Sequence, residues 1–354
     1  MKAVITSAGR GTRLRPITHT QNKHLIAIAN KPMLHYAIES VRDAGITEIG
    51  IVVPADSNEV PNAVGNGMAW GANITYIRQE GPLGLAHVVK ISQQFVRDDA
   101  FLFYLGDNIV LGGVRRFVEA FERSGCNCLL TLAKVKDPQR FGVPVFRGNR
   151  IVAVEEKPKQ AKSSYAVAGI YVYDHHIFEA VNNIKPSARG ELEISDAHQY
   201  LIDRGRNVEY CELTGWWKDT GKPSDLLEAN RLVLENIEPR IEGTLDAASD
   251  VAGRVVIEKG ATIMNSKVRG PAIIGEQCVI EESYIGPNTS IGSRTTVRKS
   301  EVEYSIIMQD CRIDSVGIRI ESSLLGNDVE VVLVDGRPRV HRFMIGDQSR
   351  VEVA

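Results

Sequence analysis

Beyond about residue 240, small aliphatic side chains recur in three interleaved series that share one period. Ile257, Ile274 and Ile291 stand 17 residues apart; so do Ile263, Ile280 and Val297, and so do Val268, Ile285 and Val302. One period in three phases means a coil with three flat sides, each side giving one aliphatic residue per turn to a central stack. The spacing therefore predicts a parallel β-helix of hexapeptide-like repeats. An antiparallel sandwich would not repeat three phases at one step. Gly260, Gly270, Gly275, Gly286 and Gly292 are expected at the corners. Regularity fades after Ile313, and Val329–Val334 with Arg339–Ile345 are candidates for a closing flap or an interface.

Before residue 240 the pattern is different. Lys2–Thr6 reads as a strand followed by a Gly-rich loop. Pro32 opens a helix with Leu34, Ala37, Ile38, Val41 and Ala44 on one face, and Gly45 ends it. Ile49–Val53, Phe101–Leu105 and Leu129–Ala133 read as strands, and Ala86–Phe95 and Val114–Phe121 as helices. Such alternation predicts a largely parallel sheet covered on both faces, with ligands beyond the carboxyl ends of its strands.

Lys plus Arg is 42 and Asp plus Glu is 44, so the formal charge of −2 provides no global attraction to nucleic acid or anionic membrane. An anionic ligand has to be held locally. Five scattered cysteines make no disulfide framework, and the C-x-C pair Cys126 and Cys128 reads as half-buried strand residues, not a zinc site. No run approaches the ~18 apolar residues of a membrane span. No signal-peptide core precedes Gly9 and Arg10, and a cytoplasmic location is expected.

Ser7-Ala8-Gly9-Arg10-Gly11-Thr12-Arg13-Leu14 follows the first strand. A tight loop there can aim backbone N–H groups of Ala8, Gly9, Gly11 and Thr12 at a phosphate chain, with Arg13 as a mobile charge. A plain glycine turn with a surface arginine fits the same residues. Lys23 can neutralise charge on transferring or leaving oxygens, or can be a solvated loop lysine. Asp107 follows a strand, where a carboxylate can hold Mg²⁺ against phosphates, although Gly-Asp-Asn is also a common turn; Asp219 in Asp-Thr-Gly has the same two readings. Glu156 suits sugar hydroxyls and Lys157 a sugar phosphate, or the two form an exposed ion pair.

The run G-x-G-T-R-L-R-P, then Lys23, then Asn30-Lys31-Pro32-Met33 resembles the opening of the sugar-1-phosphate nucleotidylyltransferases. Gln79, Gly84-Leu85-Ala86, Leu105-Gly106-Asp107-Asn108, Phe141-Gly142-Val143, Glu155-Glu156-Lys157-Pro158, Arg189-Gly190-Glu191-Leu192-Glu193 and Trp216-Trp217-Lys218-Asp219-Thr220-Gly221 continue the likeness in order. With the repeat-built tail, the chain looks like a long-form member that uses dTTP and glucose 1-phosphate. The resemblance implies a Rossmann-like, mostly parallel α/β catalytic domain over residues 1–240 and a left-handed β-helix domain over 241–354. It implies Arg13 and Lys23 as catalytic residues and Asp107 and Asp219 as the Mg²⁺ pair, with Asp107 also touching nucleotide. Gln79 and the Gly84 backbone would read the base; Leu85, Asn108, Gly142, Glu156, Lys157, Val167 and Arg189 would hold the sugar phosphate. A homo-oligomer is implied, with no nucleic-acid or membrane partner.

The chain departs from the family at Ala8, a usual Gly; at His24, a usual Gln; at Ala27, a usual Pro; and at Asn66, a usual Asp. These bear on the choice of nucleotide more than on the reaction. His24 is expected either at the nucleotide or in a solvated loop. UTP with glucose 1-phosphate and GTP with mannose 1-phosphate are rival substrate pairs. Acyl transfer on the β-helix needs a base, and of eight histidines only His341 lies beyond residue 240. A nucleotide-sugar sensor would be expected to lack Lys23 or Asp107, and both are present.

Overall fold

A computed structural model describes residues 1–334, 336 and 341–353. The chain forms two compact units. The first comprises residues 1–10, 22–25 and 33–219, the second 11–21, 26–32 and 220–354.

The first unit is built on a seven-stranded sheet. In chain order its elements are β1 (Lys2–Thr6), α1 (Met33–Asp43), β2 (Glu48–Pro54), α2 (Glu59–Val64), β3 (Asn73–Gln79), α3 (Leu85–Ile91), β4 (Phe101–Leu105), β5 (Asn108–Val110), α4 (Arg115–Ser124), β6 (Cys128–Lys134), β7 (Gly142–Arg147), β8 (Arg150–Glu156), β9 (Tyr165–Tyr173), α5 (His176–Asn183), α6 (Ile194–Asp203), β10 (Val208–Glu212) and β11 (Trp217–Asp219). The order across the main sheet is β10-β6-β9-β4-β1-β2-β3. Every pairing is parallel except those of β9, which runs antiparallel to β4 and β6. Alternate side chains of β1 go to opposite cores, as the period of a strand requires. Ala3 and Ile5 pack with Leu34, Ile38 and Val41 of α1 and Phe117 and Phe121 of α4. Val4 packs on the other face with Val88 of α3, Ile177 of α5 and Leu201 of α6. Cys126 and Cys128 are buried, not half-buried; Cys128 opens β6, whose sheet is covered on both faces, and Cys126 lies before the strand. The helix expected from Ala86 to Phe95 breaks at Ser92 into Leu85–Ile91 and Gln93–Val96. Pro32 lies in a two-residue strand, and α1 begins one residue later.

In the second unit, three parallel sheets repeat along the chain, which is the expected β-helix. Ile257, Ile274, Ile291, Ile307 and Leu325 are register partners in one sheet, Ile263, Ile280, Val297, Ile313 and Val331 in the next, and Val268, Ile285, Val302 and Ile320 in the third. The coil continues past Ile313, where the sequence loses its rhythm, because the step first shortens to 16 and then lengthens to 18 residues. A serine column runs beside the aliphatic ones. The N–H of Ser266 donates to Ser249 Oγ, that of Ser283 to Ser266 Oγ, that of Ser300 to Ser283 Oγ and that of Val316 to Ser300 Oγ, at 3.0–3.3 Å.

The five expected glycines all lie between strands, at the corners of the coil. Left-handed corner backbone falls on Asn265, Gln277, Glu282, Arg294, Lys299 and Asp310, with Gly260 the only one of the five expected glycines to share it. Gly275 and Gly292 are corner residues required by close approach: a Cβ at either would lie 2.5–2.6 Å from backbone of the next coil. A helix, α7 (Pro223–Leu234), packs on the coil through Leu234, Val256 and Ile273. Its Asn230 accepts the Ala29 N–H at 2.8 Å and donates to the Asn288 carbonyl at 3.1 Å. Glu330–Val332 closes one sheet, whereas Leu333, Val334 and His341–Ile345 are exposed and lie outside strands. Arg339 and Val340 lie outside the described residues. Among the described residues no helix is long and apolar enough to cross a membrane.

Two tests follow from packing and burial. Ile280 is fully buried in the aliphatic stack. Ile280→Ala should cost ~2–5 kcal/mol in urea unfolding; a loss below ~1 kcal/mol would mean that the stack does not carry the coil. His198, on α6, is fully buried with Nε2 2.6 Å from the Tyr173 hydroxyl, and burial pushes its pKa down to about 3. Unfolded histidine titrates near ~6.5, so the unfolded chain takes the proton first and stability is lost as pH falls below that value. From pH 7 to 5 this group should remove ~2 kcal/mol. His198→Gln should flatten that part of the urea-midpoint profile, and an unchanged profile would contradict the assignment.

Candidate active site

The parallel strands β1 and β4 end side by side, Thr6 opposite Leu105. The Gly106 N–H donates to the Thr6 carbonyl at 3.1 Å, and a Cβ on Gly106 would stand 2.4 Å from that oxygen, so only glycine allows the approach. This turn presents Asp107. Asn108 Nδ2 donates to Asp107 Oδ1 at 2.8 Å, and Lys23 Nζ donates to Asp107 Oδ2. Lys23 is 6 % exposed, which removes the reading of a solvated loop lysine. Trp217 Nε1 donates to Asn108 Oδ1 at 2.6 Å, and the Tyr104 hydroxyl to the Asn108 carbonyl at 3.2 Å. β11 then runs antiparallel to β5, and its register sets Asp219 opposite Asn108, one residue from Asp107.

Burial by itself would raise the Asp107 carboxyl. Lys23, His24 and the hydrogen bonds from Lys23 and Asn108 outweigh it and hold the group well below the usual carboxylate range. Tyr171, buried beneath, is pushed up first by burial and then by the fields of Glu156, Cys128, Asp107 and Asp219.

The lysine turn, Lys23–Leu25, is held by its neighbours. Asn22 Oδ1 accepts both the backbone N–H and Nδ1–H of His24, each at 2.9 Å. Asn22 Nδ2 donates to the Ser7 carbonyl at 3.2 Å, and the Asn22 N–H donates to Glu59 Oε2 at 2.6 Å. His24 is buried, not solvated; burial lowers its pKa to about 4, against Asp107, which raises it, and with Lys23, which lowers it. Gly9 lies over the ring: a Cβ there would be 3.5 Å from His24 Cε1.

Gln79 ends β3 beside a small cleft lined by Ala8, Arg10, Pro54, Asp56 and Glu80. It is largely buried, with Nε2 3.2 Å from His87 Nδ1. Gly84 has φ +97°, and a Cβ on it would meet the Leu192 carbonyl at 2.3 Å. Leu85 opens α3 directly after it, and the Ala86 N–H donates to that same carbonyl at 3.1 Å.

Gly142 and Glu156 face each other across the β7–β8 pair. Ser195 Oγ donates to Glu156 Oε2 at 2.7 Å, while Glu156 Oε1 faces Lys157 Nζ at 3.2 Å and Arg189 at 3.7 Å. Val167 closes the group, its Cβ 3.7 Å from where a Gly142 Cβ would be. Arg189 is also paired with Glu193 at 2.8 Å. Ala8, Gly9, Lys23, Gln79, Gly84, Leu85, Asp107, Asn108, Gly142, Glu156, Lys157, Val167, Arg189 and Asp219 thus all belong to the first unit, whereas Gly11, Thr12 and Arg13 belong to the second. There the Arg13 guanidinium lies 3.2 Å from the Cβ position of Gly221. Sequence reasoning assigned no role to Asn22, Trp217 or Ser195; a polar residue beside a motif residue was the available signal. A group remote in sequence from these motifs, Asp174, His175 and His176, stands at the start of α5, with Asp174 Oδ1 accepting the His176 N–H and Oδ2 bonded to Asn127 and His176.

In a mixed, mostly parallel α/β sheet, ligands sit beyond the carboxyl ends of the strands, which is where the Lys23–Asp107 pair stands. Residues 2–236 match the nucleotidyl transferase family, and the chain belongs to that family. A glucose-1-phosphate thymidylyltransferase of Streptomyces antibioticus is 48% identical over 357 residues, covering 100% of this chain and 99% of that protein. One of Streptomyces griseus is 46% identical over 355 residues, covering 100% of both. The solved structure of a Bacillus anthracis protein described as a glucose-1-phosphate thymidylyltransferase, in complex with sucrose, is 39% identical with a TM-score of 0.64, covering 67% of this chain and 96% of that one.

Asp107→Asn and Asp219→Asn should each lower nucleotidyl transfer at saturating Mg²⁺ by ~100-fold or more, the scale for lost charge stabilisation at a transferring phosphoryl group. Turnover close to wild type in either variant would remove that residue from the site.

Proposed function

We propose that the protein transfers a thymidylyl group from dTTP to glucose 1-phosphate, giving dTDP-glucose and pyrophosphate. The observation that carries this reading is end-to-end similarity to two proteins of that activity, joined to the buried Lys23–Asp107 pair at the strand ends. A sugar-phosphate oxygen attacks the α-phosphorus in line. The new P–O bond forms as the bond to the bridging oxygen breaks, and pyrophosphate leaves with that electron pair. No protein nucleophile takes part, so the chain's work is positioning and charge stabilisation.

Lys23 and Arg13 stabilise charge on the triphosphate and the leaving pyrophosphate. Ala8, Gly9, Gly11 and Thr12 offer backbone to the phosphates. Gln79 and the Gly84 backbone read the base edge, and a side-chain amide matches a pyrimidine's donor and acceptor. Glu156 takes sugar hydroxyls, and Lys157 and Arg189 hold the sugar phosphate, within walls formed by Leu85, Asn108, Gly142 and Val167. Asp107 and Asp219 would hold Mg²⁺. They fit a hard cation that takes one or two carboxylates and fills its shell with phosphate and water, because Asp107 is held ionised and Asp219 is one register step away. Bound there, Mg²⁺ supplies neutralising charge to the triphosphate.

We divide the chain at about residue 240 into a catalytic domain and a β-helix domain whose work is structural, in a homo-oligomer. Buried Lys23 and ionised Asp107 favour an enzyme over a nucleotide-sugar sensor. A panel of triphosphates and sugar 1-phosphates, read by pyrophosphate release, tests the substrate choice. The highest kcat/KM is expected for dTTP with glucose 1-phosphate, UTP following. Highest values for GTP or ATP would overturn the base assignment.

A further inference from the structure

Lys23 sits in a single short turn, Lys23–Leu25, with no ladder of its own to fix its direction. The residues on either side of it supply that constraint. Asn22 Oδ1 receives two donors from His24, so a hydrogen-bonded ring closes across Lys23 and sets its backbone. The same Asn22 amide is anchored through Nδ2 to the Ser7 carbonyl, and Ser7 is itself tied to the sheet by its N–H on the Val52 carbonyl at 2.7 Å. The His24 ring, held by Asn22, lies under Gly9. Glu59 at the start of α2 takes the Asn22 N–H. Both side chains are buried, Asn22 at 9 % and His24 at 2 % exposure, so water cannot replace these partners.

We propose that Asn22 and His24 act as one pair of positioning residues, which aims the Lys23 ammonium at Asp107 and locks the lysine turn to the Ser7–Gly9 loop. This rests on the nucleotidyl-transfer reading above. Asp107 reaches the ammonium from β4, on a separate path through the sheet, so a shift of the turn changes the Lys23–Asp107 geometry directly. It equally changes where the ammonium stands relative to the Ser7–Gly9 backbone. A displacement of ~1 Å at a reacting centre is worth up to ~100-fold in rate. The chemistry of the pair is specific. Asn22 Oδ1 only accepts; any residue at position 24 keeps the backbone donor, and His24 adds a second one from its side chain. A glutamine amide can serve in place of Nδ1–H, and alanine cannot.

The test compares wild type with Asn22→Ala, His24→Ala, the double variant and His24→Gln. Steady-state pyrophosphate release is measured with whichever triphosphate and sugar 1-phosphate pair the wild type uses best, so a different substrate choice leaves the comparison intact. Each alanine variant should lose ~10- to 100-fold in kcat, with KM for the sugar 1-phosphate within ~2-fold. The double variant should be no worse than ~3-fold below the poorer single, because the two act through one ring. His24→Gln should recover to within ~3-fold of wild type. A second readout is independent of turnover: the rate at which an amine-reactive label modifies Lys23, followed by mass spectrometry of its peptide. The paired, buried ammonium is protected, and Asn22→Ala should raise that rate ~10-fold or more. Should Asn22→Ala fail to fold, His24→Ala carries the same two measurements. Alanine variants within ~3-fold of wild type in kcat, losses that multiply in the double variant, or unchanged Lys23 labelling would each overturn the proposal. A wild type without pyrophosphate release on any pair would instead refute the functional reading, and Lys23 labelling would still decide the positioning role.

Discussion

An ammonium removed from water costs several kcal/mol unless a carboxylate meets it and the remaining donors and acceptors are filled. Lys23 and Asp107 meet that condition, and much of the first unit's local structure serves it. Gly106 lacks a Cβ, so the chain after β4 can press against the end of β1. Asn108 fills the second oxygen of Asp107 and is in turn held by Trp217. That contact belongs to the β5–β11 pairing, whose register brings in Asp219. On the other side Asn22 and His24 hold the lysine's backbone.

The second unit obeys a different constraint. Each coil has to satisfy its backbone on the coil before and the coil after it, while its three inward aliphatic side chains fill one narrow core. Register partners in all three sheets are the residues of the repeat, so packing and hydrogen bonding repeat together. The serine column adds side-chain acceptors for backbone N–H groups at the turns. Left-handed backbone at Gln277, Arg294 and Lys299 is strained by about 1–2 kcal/mol per residue, and the ladders on both sides offset it. Asn30 and Asn230 stitch non-coil segments of this unit to the coil, with Asn30 Nδ2 on the Ile291 carbonyl at 2.8 Å.

The residues themselves determined most of the architecture. The three-phase repeat specifies a coil because three aliphatic series sharing one step require three sides around one core. The apolar runs of β1, β2 and β4, with the helical spacing of Leu34, Ile38 and Val41, specify a covered parallel sheet. The ordered motifs carry the family by resemblance, and each alone also fits an ordinary turn or surface residue. Burial and hydrogen-bond partnership were not legible. Lys23 and His24 are polar residues in a loop, and a local pattern assigns such residues to solvent. Lys23 is buried because Asp107, 84 positions away in the chain, completes the ion pair, and His24 because Asn22 meets both its donors. The glycines of the coil are legible as corner residues, but the contact between successive turns that excludes a side chain at Gly275 and Gly292 is absent from any one turn's sequence. The coil also runs on after its rhythm fades, since backbone ladders tolerate a step of 16 or 18 residues that a strict count does not. What the sequence by itself determined about this protein is therefore its periodicities and its chemical inventory, because both are local. Tertiary structure alone decided which charges are buried, which donor meets which acceptor and which glycine is a contact, because those depend on atoms that distant segments bring together.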